Sequence, residues 1–448
     1  MLRKDETRKV DTDLVASGLR KLFLLKHSML EFLMEREEPI HTSVLALMTG
    51  NHHFTLGPPG TSKSQLPWAI AMAFKEFHED PEFYFYKLMS RTMEPDELFG
   101  PLSLEGVEQG DYRREIDGFI PKAKIFFGDE LYKTGDAVLN NLLGVMNERL
   151  FRNGKETLKV PLFSMFGASN ELYEGSSLDA LHKRIAFKHQ VGYIEEVDNF
   201  YKMLDYAVDG VGEPQTADIG FTSEELAAIQ QYLYNVEFPA QAKATMWEMR
   251  VGFNDAALVG AMDDRLAFWL VSISRAEALL ARVEDQLNDA VAEVLPTDET
   301  ELAEIDVAAT VREVVPDVEL DLEDISVEPQ HFAVTQHCFW DVPKNIVPIR
   351  TVVLNVASPV AEEAVRFIDS AQHCRDASDT AMKNPSLVDT EKQQAALEAN
   401  SEVAEIVEQL EKRIKETDGN SRRHFQKALD KVATIHKVIL EDHLGVNL

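Results

Sequence analysis

Cysteine is nearly missing from this chain of 448 residues: Cys338 and Cys374 are the only two. That excludes a disulfide framework and makes a reducing interior, the cytoplasm, the expected setting. No run approaches the 18 apolar residues of a membrane span, and the charged opening, Met1 to Val10, lacks the apolar stretch of a signal peptide. Base is also scarce. Lysine and arginine total 45 against 77 acidic residues, a net charge of −32 and a pI near 4.8, so wrapping a nucleic-acid backbone is not the expected task. The two His-Cys pairs, His337-Cys338 and His373-Cys374, lie far apart and carry little metal signal. Hydrophobic content of 45% and charge of 27% are those of an ordinary globular protein, and the length asks for two or three domains.

What is there centres on one stretch. Phe54-Thr55-Leu56 reads as a short apolar strand, and Gly57-Pro58-Pro59-Gly60-Thr61-Ser62 as a tight turn. Lys63-Ser64 and a helical segment opening at Gln65 follow. This is the plan of a P-loop, in which turn N–H groups and a helix N-terminus cradle phosphate oxygens. Lys63 would reach the β- and γ-phosphates, and the Ser64 hydroxyl would ligate Mg²⁺. Ser62 departs from the strict pattern, which has glycine before the lysine.

About 65 residues downstream, the apolar run Ile125-Phe126-Phe127-Gly128 ends in Asp129-Glu130. Asp129 would hold the magnesium shell, and Glu130 would orient or deprotonate the attacking water. A third apolar strand, Leu162 to Ser169, ends in Asn170, whose amide can bond both the γ-phosphate and the water. Leu181-His182-Lys183-Arg184 offers a basic residue on a short helix. Strands alternate with helices from 50 to 190, which argues a parallel, doubly wound sheet with its ligands beyond the strand C-termini.

Around these motifs the pattern gives helices over Leu14 to Met34, from Pro39 to Met48, and from Asp136 to Asn147. Phe83 to Leu88 reads as a buried strand, 102–121 as an inserted hairpin or loop, and Glu148 to Gly154 as a turn. Beyond Val197 helical periodicity dominates, with a long helix over Leu266 to Val283. Residues 284–328 hold 16 acidic residues against Arg312 alone and read as a solvated surface loop or a docking strip for a basic partner. Gln330 to Leu354, with Trp340 and Ile346, reads as ordered. Stripes at Val403, Val407, Leu410 and Ile414, and at Phe425, Leu429, Val432, Ile435 and Ile439, form a helical hairpin turning at Asp418-Gly419-Asn420.

In this order the P-loop, Glu94-Pro95-Asp96-Glu97-Leu98-Phe99-Gly100, Gly128-Asp129-Glu130-Leu131, Asn147-Glu148-Arg149-Leu150-Phe151-Arg152-Asn153-Gly154 and Ala168-Ser169-Asn170-Glu171-Leu172 resemble the MoxR family of AAA+ ATPases, closest to its RavA-type branch. The resemblance implies that Lys63 and Ser64 are Walker A, Asp129 and Glu130 Walker B, and Asn170 sensor 1. It places Arg184 as an arginine finger reaching into the next subunit, and Arg265 or Arg275 as sensor 2. The implied fold class is α/β: an AAA+ P-loop NTPase core (αβα parallel sheet) over 1–196 with an insert at about 98–121. A helical lid over 197–355 and a C-terminal helical hairpin over 356–448 complete it. The compact β-rich module that the RavA type places after its lid is not evident, so no partner is carried over from that module.

The function implied is that of a homo-oligomeric, hexameric ring. ATP and Mg²⁺ would sit at subunit interfaces and drive remodelling or maturation of a protein client, alongside a von Willebrand A domain partner. Two other classes compete. A helicase-like motor is suggested by the insert and its Arg113-Arg114, and would be stimulated by nucleic acid. A non-hydrolysing scaffold is suggested by Ser62 and the helical C-terminus, and would release no phosphate.

Overall fold

The computed structural model describes residues 10–171, 180–255, 262–296, 305–339, 349–350, 352–354, 359–384, 388–416 and 419–444. The first nine residues, Leu172, Trp340, Ile346 and Asp418 lie outside them. Two compact units divide the chain, Met1–Ile346 and Val347–Leu448.

In the first unit, helices α1 (Thr12–Phe32) and α2 (Glu37–Thr49) precede the sheet. Asp11 caps α1 by accepting from the N–H groups of Asp13 and Leu14 at 3.1 and 3.2 Å. Gly50 ends α2 at φ 67°, the left-handed conformation glycine adopts without strain. The sheet strands are β1 (His53–Leu56), β2 (Tyr84–Leu88), β3 (Ile125–Asp129), β6 (Ser164–Ser169) and β7 (Phe187–Gln190). They run in the order β2-β3-β6-β1-β7, every pair parallel. Strands β1 and β6 are buried throughout, as expected where helices cover both faces of a parallel sheet. Phe54, Phe126, Met165, Leu139, Leu142 and Val145 form one core with helix 136–148.

Register decides where chemistry can occur. Leu56 pairs with Ser169, and Gly128 with Gly167, so β1, β6 and β3 end side by side. The polar residues after each strand therefore emerge at one edge of the sheet.

Several expectations are corrected. Phe83–Leu88 is not a buried strand: β2 is the sheet's edge, with Tyr86 and Leu88 half exposed. The stretch read as a turn after Asn147 is instead a hairpin, β4 (Leu150–Asn153) against β5 (Glu156–Lys159). Gly154 stands at φ 60° in its tight turn, and Asn153-Gly154 was the signal for it. The 102–121 stretch contains a helix, Leu104–Glu108, and a bridge between Leu102 and Arg114.

The helix expected over 266–283 runs from Asp264 to Val294, so it absorbs the start of the acidic stretch. The described residues of that stretch, 284–296 and 305–328, are no solvated loop. Val311, Val315, Leu322 and Val327 are buried, and Arg282 pairs with Asp321 at 2.8 Å. Alternating acids hid a sparse apolar pattern that pays off only once the chain folds back.

Among its described residues the second unit has three long helices, Pro359–Lys383, Asp389–Glu416 and Gly419–Val438. The stripe residues Val403, Leu410, Phe425, Val432 and Ile439 form its core. The added helix, 359–383, contributes Ala371 and Cys374 there, with Phe367 and Ile368 packed partly buried against them. Among the described residues no helix is long and apolar enough to cross a membrane.

Candidate nucleotide site

The loop between β1 and helix 65–72 is shaped by three backbone positions. Gly57 donates to Ser169 O at 3.1 Å, and a Cβ on Gly57 would stand 2.4 Å from Val191 O. Only glycine fits there. Gly60 turns at φ 80° with open space beside it. Ser62 is held at φ 59°, a conformation that costs a non-glycine residue about 1 kcal/mol or more. The position that departs from the P-loop pattern is thus the one whose backbone favours glycine. Ser62→Gly is expected to relieve that strain, partly offset by the unfolded-state entropy of glycine. Nucleotide affinity should then be at least that of the wild type, whereas β-branched Ser62→Val should weaken it. Titration with a fluorescent ATP analogue checks both, and equal affinity in the two variants would remove the argument.

Lys63 Nζ donates to Gly57 O at 2.8 Å and Pro58 O at 2.6 Å. Burial lowers the pKa of this ammonium, while the charges of Asp129 and Glu130 pull it back up. Thr61 Oγ1 donates to Pro58 O at 2.9 Å, fixing the turn. Ser64 stands at the N-terminus of helix 65–72 without capping it. Gln65 reaches Gly212 O at 3.2 Å.

Across the sheet edge, Glu130 sits at φ 52° and is largely buried. Its carboxylate accepts from Asn170 Nδ2, from Asn170 N at 3.4 Å and from Ser169 Oγ at 3.5 Å, and pairs with Lys133 at 3.4 Å. Asp129 Oδ1 accepts from Glu130 N at 2.9 Å. Burial raises the Asp129 pKa, aided by the neighbouring Glu130 charge and opposed by that bond and by Lys63. A carboxylate crowded in this way gains from a cation. The oxygen donors on hand, Asp129 and Ser64, suit a hard ion such as Mg²⁺. With the open cradle at Gly60, the residues fit a magnesium triphosphate.

Sequence reasoning missed the apolar half of the site. A cavity of about 370 Å³ joins Gly60, Thr61, Ser62 and Gln65 to Arg36, Tyr193, Phe200 and Met203. Helix 197–208 supplies Phe200 and Met203 and buries none of its own residues, so its apolar face was legible but its target was not. Glu35 anchors that helix by accepting from Glu195 N and Glu196 N, both at 3.0 Å, and from Asn199 Nδ2 at 3.1 Å. Burial works against the Glu35 charge, yet these bonds leave its pKa below the usual range. Arg36 donates to Glu35 O and Gly192 O, while its buried Nε makes no hydrogen bond among the described residues.

The three candidate arginines stand elsewhere. Arg184 precedes β7, whose first residue pairs with the first residue of β1, so it lies at the sheet edge opposite the P-loop. It donates to Ala180 O at 2.8 Å. Burial lowers its pKa, and the charge of nearby Arg265 lowers it further. Arg265 is exposed. Arg275 lies over the Phe238 ring at 5.9 Å and lines a separate cavity with Trp247 and Arg250. None of the three lines the cavity at the P-loop.

Residues 20–231 match the family model described as bpMoxR, the MoxR domain in the MoxR-vWA-beta-propeller ternary systems. Two relatives come from Methanocaldococcus jannaschii. The uncharacterized protein MJ0079 is 36% identical over 220 residues, 49% of this chain and 55% of its own. The uncharacterized protein MJ0812 is 39% identical over 182 residues, 40% of this chain and 47% of its own. The chain thus spans about half the length of the curated relatives it matches. Among solved structures, a chain from Cytophaga hutchinsonii with an inferred ATPase assignment covers 69% of this chain and 98% of its own, at 14% identity and a TM-score of 0.49.

Proposed function

Because residues 20–231 belong to the MoxR family of AAA+ ATPases, we propose that this chain hydrolyses ATP with Mg²⁺ and uses the energy to remodel or mature a protein complex. One observation carries the reading. The P-loop, Asp129-Glu130 and Asn170 leave three adjacent parallel strands at a single edge, and Asn170 holds the Glu130 carboxylate.

The roles follow from the geometry. Backbone N–H groups of 60–64 and Lys63 would bind the phosphates, and Lys63 would exchange its two loop carbonyls for them. Ser64 and Asp129 would hold the magnesium, which neutralises phosphate charge when bound. Glu130, kept in place by Asn170, would accept the proton of the attacking water. The apolar wall at Phe200 and Met203 would take the base, so nucleotide occupancy would bear on helix 197–208.

Neither Arg184 nor Arg265 lines the cavity at the P-loop, and the two lie within electrostatic reach of each other. In a ring, the pair would complete the neighbour's site, making hydrolysis a property of the interface. A hexamer is the arrangement the resemblance implies. The matched model is that of the MoxR-vWA-beta-propeller systems, so a von Willebrand A domain protein is the proposed partner, in preference to one argued from the RavA-type branch. The free, buried thiols of Cys338 and Cys374 fit a cytoplasmic setting.

Purified chain with Mg²⁺ and ATP is expected to release phosphate at a rate that rises with protein concentration and is unchanged by DNA or RNA. No release at any concentration would overturn the assignment, and stimulation by nucleic acid would replace the remodelling reading with a helicase-like one.

A further inference from the structure

A second cluster of polar side chains lies buried away from the P-loop, where α2, β7 and the 3₁₀ helix Pro329–Cys338 meet. Thr42 Oγ1 is 2.6 Å from His189 Nε2 and 3.1 Å from His53 Nε2. The His189 ring centre is 5.2 Å from that of His53 and 4.3 Å from that of His337. Glu38 Oε2 lies 3.6 Å from His337 Nε2. One ligand atom from each of Glu38, His189 and His337 falls within 4.8 Å of the other two.

We propose that Glu38, His189 and His337 form a binding site for a divalent transition-metal ion, with zinc the best match. Two imidazoles and one carboxylate are a donor set that zinc takes readily, leaving a fourth position for water. Magnesium prefers oxygen donors and an octahedral shell, so the two metal sites of this chain would differ in chemistry.

The surroundings suit ligands rather than a core pair. His189 is buried, so its ring is held in place by packing. Thr42 Oγ1 donates to Glu38 O at 2.9 Å and lies within hydrogen-bond distance of Nε2 of both rings. Its contact with His189 orients that ring, as supporting partners of metal-bound histidines do. The cluster is open to solvent at Glu38. The Glu38 side chain is 64% exposed and that of His337 15%, so an ion can enter from solvent and reach the buried ring.

Cys338 takes no part, although it adjoins His337. It is buried, and the cluster of ligand atoms comprises Glu38, His189 and His337 without its sulfur. A bound ion would clip the start of α2 and β7 to the 329–338 helix, three segments far apart in sequence. The proposal is independent of the ATPase reading, because its readout is metal binding alone.

The test uses the full chain carrying Asp129→Asn, which removes the carboxylate of the P-loop site, stripped with chelator and titrated with Zn²⁺ by calorimetry. One equivalent is expected, undisturbed by excess Mg²⁺. Glu38→Gln, an exposed change that leaves packing intact, and His337→Gln are each expected to weaken binding at least ~10-fold. Cobalt in place of zinc should give visible ligand-field bands that both variants lose. No stoichiometric zinc binding, or equal binding in both variants, overturns the proposal.

Discussion

Glu130→Gln is expected to bind ATP about as tightly as the wild type and to lose hydrolysis by ~10²- to 10⁴-fold, the usual contribution of a general base. The amide keeps the shape of the side chain and can still bond Asn170, so the strand tips should hold together. It cannot accept the proton of water. Binding survives because the phosphate contacts belong to the loop 57–64, which reaches Glu130 only through charge on Lys63. Single-turnover hydrolysis beside analogue titration separates the two effects. Wild-type turnover in this variant would remove Glu130 from its role.

Arg184→Ala is expected to leave nucleotide binding intact and to reduce turnover by ~10³-fold or more, the range for an arginine supplied across an interface. The structure gives this a sharper form. Arg184 precedes β7 and Glu130 follows β3, so the two leave the parallel sheet at opposite strand ends, and an arginine acting in trans would serve a neighbour's nucleotide. Mixing Arg184→Ala with Glu130→Gln should therefore return part of the activity that each lacks alone. Some interfaces then pair an intact Glu130 with an intact Arg184. If no activity returns in a mixture shown to co-assemble, Arg184 does not work in trans.

The polar half of the candidate site was legible because its signals are local. An apolar strand that ends in a glycine turn with Lys63, in Asp129-Glu130 or in Asn170 declares both its burial and its polar tip. Parallel pairing then had to bring those tips to one edge. Neither the wall at Phe200 and Met203 nor the placement of Arg36 could be read that way, since both depend on how helix 197–208 returns to the sheet. The same holds for His189 and His337, which meet only through tertiary packing. Phe83 to Leu88 misled because its aromatic residues suggested burial. At the edge of the sheet, Tyr86 instead stacks on Phe127 with one face left open.

The missing methyl of Gly57 has a mechanical result. Val191 O occupies the space a side chain would need, and Val191 N donates to Leu56 O at 2.8 Å, so the first turn of the phosphate loop and the end of β7 move as one piece. The backbone runs on from Val191 through Glu195 and Glu196 into helix 197–208. A displacement of the loop would thus be passed to the end of β7, a short connection before that helix begins.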